Sequence, residues 1–168
     1  MEVFVFRHGP AENRDPIRWP NDDDRPLSRA GVEETREAAR GFAAVEPDVR
    51  RIATSPAERA RATAELLAKA LELPRRVETW DVLAPDCPAS PVLARVADEG
   101  KKADRLVLVG HEPILSELVG GAISGECVSV VHLARAGAAA LRFEAKVAPG
   151  AGELSWLLTR RLLAALAR

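Results

Sequence analysis

Two arginines and two histidines occur in contexts suited to gripping and attacking a phosphoryl group. Arg7-His8-Gly9 follows the apolar run 2–6. Thr54-Ser55-Pro56-Ala57-Glu58-Arg59-Ala60 follows the run 49–53, and Gly110-His111-Glu112-Pro113 follows 105–109. Arginine presents a planar fork of donors that matches phosphate oxygens in bidentate fashion. An ordinary imidazole sits near its titration midpoint at about pH 6.5, so it can be a neutral nucleophile that splits one difficult displacement into two easier ones. A lone Arg-His-Gly tripeptide occurs by chance, and a lone histidine beside a strand end is more often structural than catalytic. The combination is far more specific, because Ser55, Arg59 and Thr63 recur at i, i+4 and i+8 and so share a helix face. Arg61 falls off that face and reads as a solvated side chain. Gly9 and Gly110 permit close backbone approach beside each histidine.

Positioning these groups requires strands that end at one rim. Residues 2–6, 49–53 and 105–109 are short and apolar, as buried strands are. Ser28 offers an N-cap to a helix carrying Val32, Thr35, Ala39 and Phe42 on one face. A second helix is expected from Pro56, with Ala60, Ala64, Leu67 and Leu71 inward and a stop before Pro74. Residues 77–83 read as a short strand or extended loop and 91–98 as a helix. Pro113 opens a further helix with Ile114, Leu115, Leu118, Val119 and Ala122 inward. Residues 128–133, 138–145 and 153–158 read as strands and 159–168 as a last helix. The alternation predicts an α/β protein: a three-layer α/β/α sandwich whose central sheet is mainly parallel, with antiparallel edge strands from the last third. Ligands of open α/β sheets sit outside the carboxyl ends of the strands, where the three motifs fall.

The 168 residues suit one domain, residues 1–168, and 47% hydrophobic with 29% charged residues is globular composition. A net charge of −1 argues against nucleic acid or an anionic membrane surface as partner. No apolar run reaches the roughly 20 residues of a membrane span, and Arg7-His8 comes too early for a signal peptide, so the cytoplasm is the expected address. Cys87 and Cys127 form no CxxC and read as reduced thiols rather than a disulfide framework or zinc site. The run Asp22-Asp23-Asp24 reads as a solvated loop, His132 as structural, and the three tryptophans as packing or rim residues. No metal or other cofactor is implied, since arginines supply the positive charge, and a monomer is expected.

Taken together, Arg7-His8-Gly9, Ser55-Pro56 with Arg59-Ala60 and Thr63-Ala64, and Gly110-His111-Glu112-Pro113 resemble the histidine phosphatase superfamily, also called phosphoglycerate-mutase-like. The match continues in Arg25-Pro26-Leu27-Ser28-Arg29-Ala30-Gly31, which is similar to the segment opening the first helix in the compact SixA-type branch. The resemblance implies that His8 attacks phosphorus to form a transient phosphohistidine while Arg7, Arg59 and His111 clamp the phosphoryl oxygens. Ser55 and Glu112 join the expected phosphate-binding set. A backbone carbonyl, that of Gly9, is expected to hold the Nδ1 proton of His8. Larger relatives carry an acidic proton donor in the stretch matching 78–85. Here Val82 falls nearest that position, with Asp81 and Glu78 as the neighbouring acids. A phosphoramidate, whose leaving group departs with little help, fits this departure. The expected partner is therefore a phosphate-bearing substrate, foremost phosphohistidine on a protein. A small-molecule phosphomonoesterase and a non-catalytic phosphate- or phosphoprotein-binding module are the alternatives.

Overall fold

The computed structural model describes residues 1–73, 77–99 and 104–167. Six strands form one sheet: β1 (Glu2–Arg7), β2 (Arg51–Thr54), β3 (Val77–Thr79), β4 (Arg105–Gly110), β5 (Ala138–Arg142) and β6 (Glu153–Leu158). Five α-helices are interleaved: α1 (Arg29–Val45), α2 (Glu58–Ala70), α3 (Ala89–Glu99), α4 (Ile114–Ser124) and α5 (Arg160–Leu166). The strand order is β3-β2-β4-β1-β5-β6. β1 pairs in parallel with β4, and β2 with both β3 and β4, whereas β5 runs antiparallel to β1 and β6 to β5. This is the expected mixed sheet.

Alternation along β1 explains the layers, because successive strand side chains point to opposite faces. Phe4 and Phe6 join Ala39 and Phe42 of α1, Ala64 and Leu67 of α2 and Leu163 of α5 in one core. Val3 and Val5 join Val92 and Val96 of α3 and Leu115 and Leu118 of α4 in the other. Phe42 meets Phe4 and Phe6 edge-on, at centroid distances of 5.5 and 5.8 Å, an arrangement that suits the ring quadrupoles. Ser28 caps α1, its hydroxyl accepting the Gly31 N–H at 3.0 Å.

Some boundaries and one strand differ from expectation. Residues 128–133 form no strand: Val128 and Val130 are exposed, and the two edges of β1 are already taken by β4 and β5. The segment turns back toward β1, where Leu133 is buried and its carbonyl accepts from Arg7. Helix α2 starts at Glu58, not Pro56, because the Ser55 hydroxyl accepts the Ala57 N–H and closes a turn first. The stretch 77–83 divides into β3 and a 3-10 turn, Asp81–Leu83. Pro74 and Arg168, expected at helix ends, lie outside the described residues. Among the described residues no helix is long and apolar enough to cross a membrane, and Cys87 and Cys127 are free thiols.

Candidate active site

Because β1, β2 and β4 are mutually parallel, their carboxyl ends lie side by side. Arg7 is opposite Gly110, and Thr54 is opposite Val109. His8, Ser55 and His111 are the next residues along each strand, so three distant segments deliver their side chains to one rim. A cleft of about 390 Å³ there is lined by Arg7, His8, Arg59 and His111. The four residues expected to be catalytic therefore share one cavity.

His8 is only 8% exposed, and its Nδ1 lies 2.7 Å from the Gly9 carbonyl oxygen, as expected. A carbonyl only accepts, so Nδ1 carries the proton and the lone pair is on Nε2. The Gly9 amide in turn donates to Thr63 Oγ1 at 3.1 Å, and that hydroxyl donates to the Arg59 carbonyl at 2.8 Å. Thr63 thus ties the His8 loop to α2. A Cβ at Gly9 would stand 1.8 Å from Thr35 Oγ1, so only glycine fits. Gly110 is less constrained, since its nearest contact would be Leu115 Cδ2 at 3.3 Å.

The ring of His111 lies 5.0 Å from that of His8, centroid to centroid. Its Nε2 is 2.8 Å from the Ser55 hydroxyl oxygen, which already accepts the Ala57 N–H at 3.2 Å. Burial lowers the pKa of both imidazoles below the ordinary 6.5. His8 falls to about 4, with Arg59, Arg7 and Arg25 adding repulsion, and the Gly9 bond only partly opposes this. His111 falls to about 3, burial again leading and His8, Arg59 and Arg7 following. Both rings are neutral at pH 7.

The arginines are anchored but not saturated. Arg7 Nη1 donates to the Leu133 carbonyl at 2.7 Å, and Arg59 Nη1 to the Asp22 carbonyl at 2.7 Å. Buried atoms of cleft-lining residues remain without a hydrogen-bond partner: the donors Arg7 Nε and Arg59 Nε, His111 Nδ1, and the acceptor Glu112 Oε1. Orphaned buried donors are expensive unless a ligand meets them. Burial lowers the pKa of both guanidiniums, Arg7 and Arg59, yet an arginine stays charged at neutral pH.

The acidic run behaves differently from a solvated loop. Asp22–Asp24 is a 3-10 turn whose first two members line the cleft. Asp22 pairs with Arg25 at 2.8 Å, Arg59 at 3.3 Å and Arg14 at 3.4 Å. The hydrogen bonds from Arg25 lead the causes that hold its carboxyl below the usual range. Arg25, noted only within the helix-opening segment, is thus part of the cleft wall, and so is Arg135, which nothing in the sequence had marked. Arg61 pairs with Glu58 on the surface, as expected.

Of the two further residues expected to bind phosphate, Glu112 lines the cleft and Ser55 does not, and neither offers an anion a free donor. The Ser55 side chain is fully buried between Ala57 and His111. Glu112 lines the cleft, but its Oε2 accepts from Ser116 at 2.5 Å and its charge supports that of Arg7. Neither expected proton donor lines the cleft. Glu78 is held by Arg51 at 2.8 Å at the sheet edge, and Asp81 is exposed in its 3-10 turn beside Arg95. The reason is topological: β3 is separated from β1 by two strands. What reaches the cleft from this stretch is Pro85 with Asp86, whose φ is 67°, a conformation aspartate tolerates better than most residues. Among the described residues, no group of three or more His, Cys, Asp or Glu is placed to hold a metal ion.

Comparison with known proteins agrees with this fold. The solved structure of the protein histidine phosphatase SixA complexed with tungstate superposes with a TM-score of 0.82 and 25% identity, covering 96% of this chain and 98% of that one. Residues 3–84 match the histidine phosphatase superfamily (branch 1). Phosphohistidine phosphatase SixA of Escherichia coli is 30% identical over 75% of this chain and 76% of its own. An uncharacterized Picosynechococcus protein is 36% identical over 84% and 85% of the two chains. The fold and the rim define an α/β phosphoryl-transfer protein. The chain belongs to the histidine phosphatase superfamily, in its SixA-type branch.

Proposed function

We propose that this chain hydrolyses phosphohistidine on a protein through a covalent intermediate on His8. The supporting observation is the buried, neutral His8 whose Nδ1 is committed to the Gly9 carbonyl, which leaves Nε2 as the nucleophilic nitrogen. Nε2 attacks phosphorus in line with the substrate's N–P bond. A new N–P bond forms on His8 as the old one breaks, and the departing imidazole nitrogen takes a proton from solvent. Water then attacks the phosphorylated His8, releasing inorganic phosphate and regenerating the free imidazole.

Arg7 and Arg59 neutralise the charge on the non-bridging oxygens, the main requirement of phosphoryl transfer. His111 contributes as an N–H donor. In this reading Ser55, whose oxygen accepts the Ala57 amide, donates its hydroxyl hydrogen to His111 Nε2, so that the proton of His111 resides on the unpartnered Nδ1. Ser55 is thus a positioning residue that sets the tautomer. The tungstate complex of the similar SixA structure is in keeping with oxyanion binding, since tungstate is a tetrahedral stand-in for phosphate. A phosphoramidate suits this cleft because its leaving nitrogen needs little acid assistance, and the expected acids stand away from the rim. The 30% identity to a phosphohistidine phosphatase favours the same substrate class.

The test is release of phosphate from a histidine-phosphorylated protein in EDTA, beside a panel of phosphomonoesters, for the wild type and His8→Ala. Rapid turnover of phosphohistidine by the wild type and none by His8→Ala is expected, with an acid-labile phosphoryl group trapped on His8. Turnover surviving in His8→Ala would overturn the mechanism, and a strong preference for simple esters would overturn the substrate.

A further inference from the structure

Beside the catalytic cleft lies a second hollow, of about 530 Å³, that the chemistry above does not use. It is lined by Arg7, Arg135, Arg160, Arg161, His132 and Thr159, together with Pro10 and Ala134. Arg7 and Arg135 line both cavities, so the two are neighbours that share one wall. Among the described residues no carboxylate lines the hollow. Glu34 pairs with Arg160, whereas Arg135 and Arg161 make no ion pair among the described residues. Arg135, Arg161 and His132 are all exposed. In a chain of net charge −1, this cluster, of which Arg135 and Arg161 have no carboxylate partner among the described residues, is a local excess of positive charge, and it abuts the phosphoryl site. Its effect already reaches the catalytic arginine, since Arg135 is among the charges that lower the pKa of Arg7.

We infer that this groove receives a carboxylate-rich stretch of the protein substrate flanking its phosphorylated histidine. The inference rests on the proposed function, because it supplies the partner contact for that same site. At about 530 Å³ the hollow is far larger than one phosphate, so an extended segment fits it better than a second phosphoryl group. Exposed guanidiniums facing acidic side chains chiefly steer encounter and fix orientation, and their influence weakens as salt screens them. The dependence should therefore appear in kcat/KM and in its ionic-strength profile.

Two synthetic peptides, each phosphorylated on one histidine with potassium phosphoramidate, provide the test. They differ only in that one carries Asp and Glu around the phosphohistidine and the other Asn and Gln. Free phosphohistidine is the third substrate. The wild type should prefer the acidic peptide by about tenfold in kcat/KM at low ionic strength, and the preference should shrink in high salt. Arg161→Glu should abolish it, Arg161→Lys should largely retain it, and both variants should turn over free phosphohistidine at the wild-type rate, which also shows that they fold. Equal use of both peptides by the wild type would overturn the groove assignment while leaving the proposed function standing. Failure of the wild type on all three substrates would overturn the proposed function and the groove with it. A preference for a small bisphosphate over a monophosphate, lost in Arg161→Glu while the peptides stay unaffected, would give the groove to a second phosphoryl group and overturn the proposal.

Discussion

Acidification should destabilise this protein through His8 well before most carboxylates are protonated. In the unfolded chain the imidazole takes up a proton below its ordinary pKa of 6.5, whereas in the folded protein it resists until about 4. The unfolded state therefore binds more protons across this window, so stability is fully present above 6.5 and is lost as pH falls toward 4. At about 1.4 kcal/mol per tenfold change in proton affinity, the whole fall is worth about 3 kcal/mol, of which about 2 is lost between about pH 7.5 and about pH 5. His111 acts in the same direction down to about 3, but with the rings 5.0 Å apart the two contributions are coupled and do not simply add. The assay is urea unfolding of the wild type and His8→Asn at several pH values. The titrating carboxylates, Asp22 included, are common to both proteins and largely cancel in the difference. The wild type should lose about 2 kcal/mol more than His8→Asn between about pH 7.5 and about pH 5. Parallel losses would mean that His8 titrates normally in the folded state, and the case for a desolvated neutral nucleophile would fail.

Arg59→Ala should weaken inhibition by inorganic phosphate and lower kcat/KM by about a hundredfold or more, as removal of an oxyanion donor does elsewhere, while circular dichroism still reports a folded chain. Unfolding of that variant would make Arg59 a structural partner of Asp22 first. Ser55→Ala should lower kcat by roughly tenfold, because His111 loses the hydroxyl that sets its tautomer, and NMR of the imidazole nitrogens should show the proton shared between Nδ1 and Nε2. An unchanged tautomer would remove the positioning role. Asp86→Asn tests whether the carboxyl that this stretch brings to the cleft assists a leaving group: turnover of phosphomonoesters should fall more than that of phosphoramidates. Equal effects on both classes would confine Asp86 to shaping the loop.

The central strands and the helix faces were legible because burial imposes a regular pattern. Glu2–Arg7 and Arg105–Gly110 are buried on both faces, so they read as continuous apolar runs, and the stripe Ala60, Ala64, Leu67 and Leu71 marks the inward face of α2. The Arg7, His8, Arg59 and His111 quartet was legible for a related reason: each residue adjoins the end of a recognisable element, and parallel strands bring such ends together. Residues 128–133 misled because Val128 and Val130 alternate as strand residues do. Alternation says nothing about whether a sheet edge is free, and here both edges of β1 were filled.

Charged residues were the harder reading, and for one physical reason. In sequence, Asp22 stands among acids and its partner Arg59 lies 37 positions away, so nothing local distinguishes a solvated aspartate from one gripped by three guanidiniums. Arg135 poses the same problem in reverse. It is exposed and unpaired, like many surface arginines, and only its place on the wall between two cavities separates it from them. Apolar burial is a property a residue largely carries with it, whereas the work a charge does depends on which other charges the fold sets beside it. The proposed nucleophile could therefore be read from its motif, while the electrostatic frame around it, Asp22 with Arg14 and Arg25 on one side and Arg135 on the other, exists only once the chain has folded.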